Sequence, residues 1–149
     1  MAMDTVLLAL GHEDEERLES ITDTVVDLAA PGESTVVLGH VFTWEEYDDV
    51  KEKLDISKDA EVTPDDVAAK YNTVRTVAGL LAEAGVDYEI RGAVGEYGHE
   101  IVDLAEEETA DLVVVGGRKR SPTGKAVFGS TAQEVMLNAP CPVTFVRSD

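Results

Sequence analysis

Five short apolar runs alternate along the chain with segments whose apolar residues recur every three or four positions. Val6 to Leu10 (VLLAL) is uninterrupted by polar residues and closes at Gly11, as expected for a strand buried on both faces. Asp14 or a neighbouring acid opens a helix carrying Leu18, Ile21, Val25 and Leu28 on one face, and Pro31-Gly32 stops it. Thr35 to Phe42 (TVVLGHVF) is the second strand. Trp44 to Val62 holds acids and lysines in no clear period, and reads as a solvated surface excursion with one or two helical turns rather than a mobile flap. Thr63-Pro64-Asp65-Asp66 is a helix start, with a Thr cap, Pro in the first turn and acids facing the helix dipole. Its apolar face is Val67, Tyr71, Val74, Ala78 and Leu81, and Gly85 ends it.

Val86 to Val94 alternates, as a strand nearer the sheet edge does. After the turn from Gly95 to His99, Ile101, Leu104 and Ala105 mark a third helix. Asp111 to Val115 (DLVVV) is the fourth strand, ending at Gly116-Gly117; Ser130 to Asn138 is the last helix and Pro142 to Val146 the fifth strand. Five strands alternating with about four helices, without an internal repeat or a domain boundary, predict one α/β domain over residues 1–149. Its architecture is a three-layer open, mostly parallel sheet with helices on both faces.

Bulk composition narrows the setting. A chain of 149 residues, 44% hydrophobic, is long and apolar enough to bury a core. Met1 to Thr5 has no basic flank, and the apolar run behind it is too short for a signal segment or a membrane span. The lone Cys141 has no partner for an intramolecular disulfide. Together these features predict a cytoplasmic protein. Thirty-one acidic residues against twelve basic ones give a net charge of −19, which repels nucleic acid and anionic membrane and argues against both as partners.

Open parallel sheets bind ligands beyond the carboxyl ends of their strands, where the strand order reverses. That rule selects the loops after strands one and four, namely Gly11-His12-Glu13 and Gly116 to Ser130. The second loop stands out chemically. Arg118, Lys119, Arg120 and Lys125 place four of the twelve basic residues within eight positions of an acidic chain. Glycines at 116, 117, 124 and 129 permit close backbone approach and positive φ. Ser130 is the expected cap of the following helix, with Gln133 completing a capping box. Free amides at a helix start, a hydroxyl and nearby cations together make an anion site. Known phosphate motifs do not match: Lys119 stands where a Walker loop needs its first Gly, Ala126 where it needs Ser or Thr, and no G-x-G-x-x-G follows a strand.

The loop and its flanks resemble the universal stress protein family. The family motif is Gly, two residues, Gly, nine residues, then Gly-Ser or Gly-Thr. Gly116 opens it here, Lys119 replaces the second Gly, and Gly129-Ser130 closes it. Ala110 to Gly116, His40-Val41, and the run from Thr131 to Val146 with Pro142-Val143 extend the resemblance over nearly the whole chain. The resemblance implies strand order 3-2-1-4-5, the Rossmann-like arrangement of adenine nucleotide alpha hydrolases. It implies ATP or a related adenine nucleotide as ligand, with Mg2+ entering only alongside it. Family contacts carry over to Val41, Val115, Gly116, Gly129, Ser130 and Thr131, while Arg118 and Lys119 occupy contact positions with changed chemistry. It also implies a homodimer joined through the last strand, Pro142 to Arg147. A nucleotide-free dimeric signalling protein of the same fold is the alternative, favoured by Gly11 and Lys119.

Other candidates read as structural. His12 lies at the mouth of strand one, His40 reads as a hydrogen-bonded core histidine, and His99 caps or flanks helix three. The three histidines and Cys141 show no metal-ligand spacing, so no structural metal is expected. Cys141, between two prolines, reads as packing, and Ser130 as a cap rather than an activated nucleophile. No base or metal clamp is legible, so any hydrolysis is slow and incidental. A receiver domain of similar length needs acids after strand one and a phosphoacceptor Asp after strand three, and neither Gly11 nor Arg91 to Gly95 supplies them. The acidic coat suits a host with a salty cytoplasm, because salt screens its self-repulsion. The thermal unfolding midpoint is therefore expected to rise from dilute buffer to molar potassium chloride, and a flat or falling series would overturn this reading.

Overall fold

The computed structural model describes residues 3–11, 18–57, 61–118 and 130–148, with side chains left out at 117, 118, 130, 131, 147 and 148. The strands are β1 (Thr5–Leu10), β2 (Thr35–Phe42), β3 (Tyr88–Val94), β4 (Leu112–Arg118) and β5 (Val143–Ser148). All pair in parallel, in the order β3-β2-β1-β4-β5. The order implied by the resemblance is the order found.

β1 lies at the centre because its sequence suits no other place. Val6, Leu7, Leu8, Ala9 and Leu10 are all fully buried. Val6, Leu8 and Leu10 face one apolar cluster and Leu7 and Ala9 another, as the two-residue side-chain period requires. The first cluster is covered by helices α1 (Leu18–Ala29) and α4 (Asn72–Glu83). The second is covered by α5 (Tyr97–Glu107) and α6 (Ser130–Asn138). β3 stands at the sheet edge with Tyr88 and Glu89 exposed, as its alternation predicted.

Asp111 joins β4 to β1 at the amino end of the sheet. Its Oδ2 accepts from the Asp4 and Thr5 N–H groups at 2.9 and 3.0 Å, and its own N–H donates to the Thr5 carbonyl at 2.8 Å.

Three expectations need correction. Trp44–Lys53 is a ten-residue helix, α2, not a loop with a turn or two. Thr43 and Glu46 form a reciprocal capping box that nucleates it, and Tyr47 and Val50 are buried one turn apart. The acids and lysines that obscured this period cover its outer face. Second, the helix expected from Thr63 to Gly85 is two helices, α3 (Pro64–Lys70) and α4, broken at Tyr71, whose backbone is extended (φ −74, ψ 132). Tyr71 leaves the helical path to pack its ring against His40 and Phe42, at centroid distances of 4.8 and 5.5 Å. Third, β4 runs on through Gly116, Gly117 and Arg118, which pair with Val146, Arg147 and Ser148, because β5 supplies a partner along that whole length.

The cap expected at Thr63 is present: its hydroxyl accepts from the Asp66 N–H while Asp66 accepts from the Thr63 N–H. α3 then rests directly on β3. The Asp65 carboxylate accepts from the Gly92 N–H at 2.6 Å, and a Cβ at Gly92 would lie 2.1 Å from the Pro64 carbonyl oxygen. Glycine at 92 is thus required by the approach of backbone to backbone, whereas Gly79 in α4 has open space around it. Gly92→Ala is expected to destabilise the fold by roughly 1–3 kcal/mol through overpacking. Gly79→Ala should stabilise it by about 0.5–1 kcal/mol through helix propensity. Urea unfolding of both variants checks the contrast, and equal stabilities would overturn it.

Candidate functional site at the carboxyl ends of the strands

The sheet divides at its carboxyl end. β1 pairs with β4 only as far as Leu8–Val114, whereas β1 continues with β2 to Leu10–His40 and β4 continues with β5 to Arg118–Ser148. Ala9 to Gly11 on one side and Val115 to Arg118 on the other therefore border a crevice. It lies where the strand order reverses, the position at which such sheets take ligands. The chain re-enters regular structure from the β4 side at Ser130, so the first turn of α6 points its amides toward this end of the sheet.

The expected site residues fall into three groups. Val41 and Val115 are buried, 4% and 2% exposed, in the cluster beneath α5 and α6, so only their backbone can meet a ligand. Gly116 is half-buried in β4, and Arg118 ends that strand. Gly116 and Gly117, expected to end the strand and open the loop, are paired strand residues. Ser130 and Thr131 open α6; the helix begins at Ser130, one position ahead of its expected role as cap. Lys119 and Gly129 lie outside the described residues, as do Arg120, Lys125, His12 and Asp14.

One residue at the crevice was not legible in the sequence. Tyr97, the first residue of α5, donates its hydroxyl to the Ala9 carbonyl at 3.1 Å, just beyond the last β1–β4 pair. Its half-buried ring packs on the same cluster as Val41 and Val115. A Cβ at Gly11 would lie 2.9 Å from the ring, so Gly11 is bare because Tyr97 occupies the adjoining space. The two residues are 86 positions apart, and no local pattern links them.

The remaining candidates are placed as follows. His40 is fully buried, with its ring 4.5 Å from that of Phe42 in an edge contact. His99 lies inside α5, not before it, and its Nε2 is 3.3 Å from an Asp103 oxygen one turn on. Glu100 brings a third potential ligand atom near, all within 4.8 Å of one another, a grouping produced by helix spacing that the scattered histidines had hidden. The Cys141 thiol is half-buried, and its pKa is raised by burial first and by Asp111 second. It is held as the thiol at neutral pH, which fits packing rather than nucleophilic chemistry.

Against this geometry, known proteins identify the class. The sequence model of the universal stress protein family matches residues 3–147, and the chain belongs to that family. It is 38% identical over 80 residues to a universal stress protein of Mycolicibacterium smegmatis, a match covering 53% of this chain and 62% of the relative. A 34% match to a Methanocaldococcus jannaschii universal stress protein covers 50% of this chain and 44% of that one, so the chain spans about half the length of the curated relatives it matches. Among solved structures, a universal stress protein from Archaeoglobus fulgidus superposes with a TM-score of 0.68 at 26% identity, covering 99% of this chain and 100% of that one. A universal stress protein in complex with cAMP superposes at 0.71 with 23% identity and full coverage of both chains. Fold relatives from Archaeoglobus fulgidus and Arabidopsis thaliana, at TM-scores of 0.63 and 0.65, were solved with dAMP and with AMP. Among the described residues, no helix is long and apolar enough to cross a membrane.

The Gly11–Tyr97 contact is directly measurable. Gly11→Ala alone is expected to cost roughly 1–3 kcal/mol by forcing the ring aside. In a Tyr97→Ala background most of that cost should disappear, since the two positions share one space. Additive losses in a double-mutant unfolding cycle would show that the ring does not fill the site.

Proposed function

We propose that this universal stress protein binds an adenine nucleotide in the crevice between the carboxyl ends of β1 and β4. One observation carries the reading: the β1–β4 pairing stops at Leu8–Val114 while both strands run on, beside the start of α6. Arg118 ends β4 at that end of the sheet, and Lys119, Arg120 and Lys125 come after it in sequence, which supports an anionic ligand there. Fold relatives solved with cAMP, dAMP and AMP support a nucleotide as the class of ligand.

In this reading the phosphates lie over Gly116, Arg118, Lys119, Gly129, Ser130 and Thr131, and the base lies toward Val41 and the end of β1. ATP is the natural candidate, because three phosphates engage the most amides and cations, with Mg2+ arriving only as its counterion. The protein acts as a binding module of one domain in a salty cytoplasm, and any hydrolysis is slow and incidental. β5 is an edge strand, and Leu137 on the neighbouring α6 is 82% exposed; both support a homodimer formed along this edge. A second reading, a nucleotide-free dimeric signalling protein, is favoured by the bare Gly11.

Calorimetric titration with ATP, AMP and inorganic phosphate, in molar potassium chloride and again at low salt, separates the two. Saturable ATP binding is expected, weakened about tenfold by Ser130→Ala through loss of a charge-assisted hydrogen bond, and abolished by Gly129→Val. Phosphate heat alone would reduce the site to an anion site, and absence of any binding would leave the second reading.

A further inference from the structure

We propose that the outer face of α5 holds a divalent cation of the zinc class on His99, Glu100 and Asp103. This site does not rest on the nucleotide reading. Helix geometry assembles it: Asp103 stands four positions after His99 and three after Glu100, so it neighbours both on the helix surface. One donor atom from each residue, an imidazole nitrogen and two carboxylate oxygens, lies within 4.8 Å of the other two. His99 Nε2 and Asp103 Oδ2 are 3.3 Å apart, longer than the roughly 2.7–2.9 Å of a charged N–H···O bond. A tetrahedral ion with metal–nitrogen and metal–oxygen bonds of about 2.0–2.2 Å holds two of its ligands roughly 3.3–3.5 Å apart. The separation of this pair is therefore that of a chelate, and this distinguishes the group from a merely acidic face.

The third donor is positioned by packing. Glu100 is half-buried, and a Cβ at Gly95 would lie 2.6 Å from its Oε1, so the bare glycine leaves the room this carboxylate uses. Charge favours a dication here. No lysine or arginine occurs from Gly92 to Gly117, while Glu96, Glu106 and Glu107 add negative charge along α5 and at its start. Arg91, the basic residue just before that stretch, is engaged with Glu89 and Glu108. One imidazole with two carboxylates suits zinc, cobalt or nickel, whereas calcium and magnesium prefer six or more oxygen ligands. The side chains of His99 and Asp103 are 63% and 44% exposed, so water completes the coordination. A bound ion ties together the first two turns of α5, whose start the Glu96 side chain does not cap.

The test titrates zinc chloride, without nucleotide, into chelator-treated protein by calorimetry, in molar potassium chloride to screen diffuse attraction to the acidic surface. One saturable site is expected, weakened at least about tenfold by His99→Gln and by Asp103→Asn. Glu100→Gln should weaken it less, since the other pair keeps its spacing. Zinc should also raise the thermal unfolding midpoint of the unaltered protein and leave that of His99→Gln unchanged. Magnesium at equal concentration should give no saturable heat, and His12→Gln should bind zinc as the unaltered protein does. Zinc binding that survives His99→Gln, or magnesium binding of equal strength, would mean attraction to acids alone and overturn the proposal. Absence of a saturable zinc site, or its loss in His12→Gln, would overturn it too. If either His99→Gln or Asp103→Asn fails to fold, the other decides.

Discussion

The junction between β1 and β4 is the constraint on which the rest of this structure depends. At the amino end Asp111 closes it, with a carboxylate oxygen accepting two backbone N–H groups of the chain entering β1 and a third backbone bond alongside. Three residue pairs later the ladder ends, and each strand continues with its other neighbour. A parallel strand buried on both faces must satisfy its backbone groups or lose stability. At Ala9 that demand is met by a side chain, the Tyr97 hydroxyl, and not by β4. The sheet can therefore part at one end without leaving that carbonyl bare.

This arrangement explains several features that otherwise look unrelated. Gly11 is bare because the tyrosine that satisfies Ala9 needs the space beside it. α5 begins at residue 97, against β1, and it packs on α6, so the two helices form one packed layer on that face of the sheet. α2 and α3 build a smaller apolar cluster over the outer half of the sheet around Phe42, Tyr47, Val50 and Val67. His40 and Tyr71 join its rings to the main core.

Charge is spread unevenly along the same chain. A chain of net charge −19 repels anions over most of its surface, yet four of its twelve basic residues fall between Arg118, the last residue of β4, and Lys125. A cluster of positive charge within an otherwise negative chain lowers the repulsion that an anion meets there, and salt screens both contributions. The abundance of acids therefore sharpens the contrast between this basic segment and the rest of the chain.

Much of this was legible along the chain. The uninterrupted VLLAL run determined a central strand, the alternation of β3 determined an edge, and Thr63-Pro64-Asp65-Asp66 determined a capped helix, because each is a local consequence of side-chain period or backbone capping. The spacing of Gly116, Gly129 and Ser130 marked the loop and the family. α2 was also written locally, in Thr43 and Glu46, but a charged outer face hid its period. What only the tertiary structure decided are features made by residues remote in sequence. The break at Tyr71 depends on rings contributed by β2, and the length of β4 depends on β5. The parting of β1 from β4 and the Tyr97 contact beside it depend on where two ladders end and on a residue 86 positions from Gly11. Side-chain period and capping act within a few residues, whereas strand pairing and packing join segments whose separation leaves no pattern in the sequence.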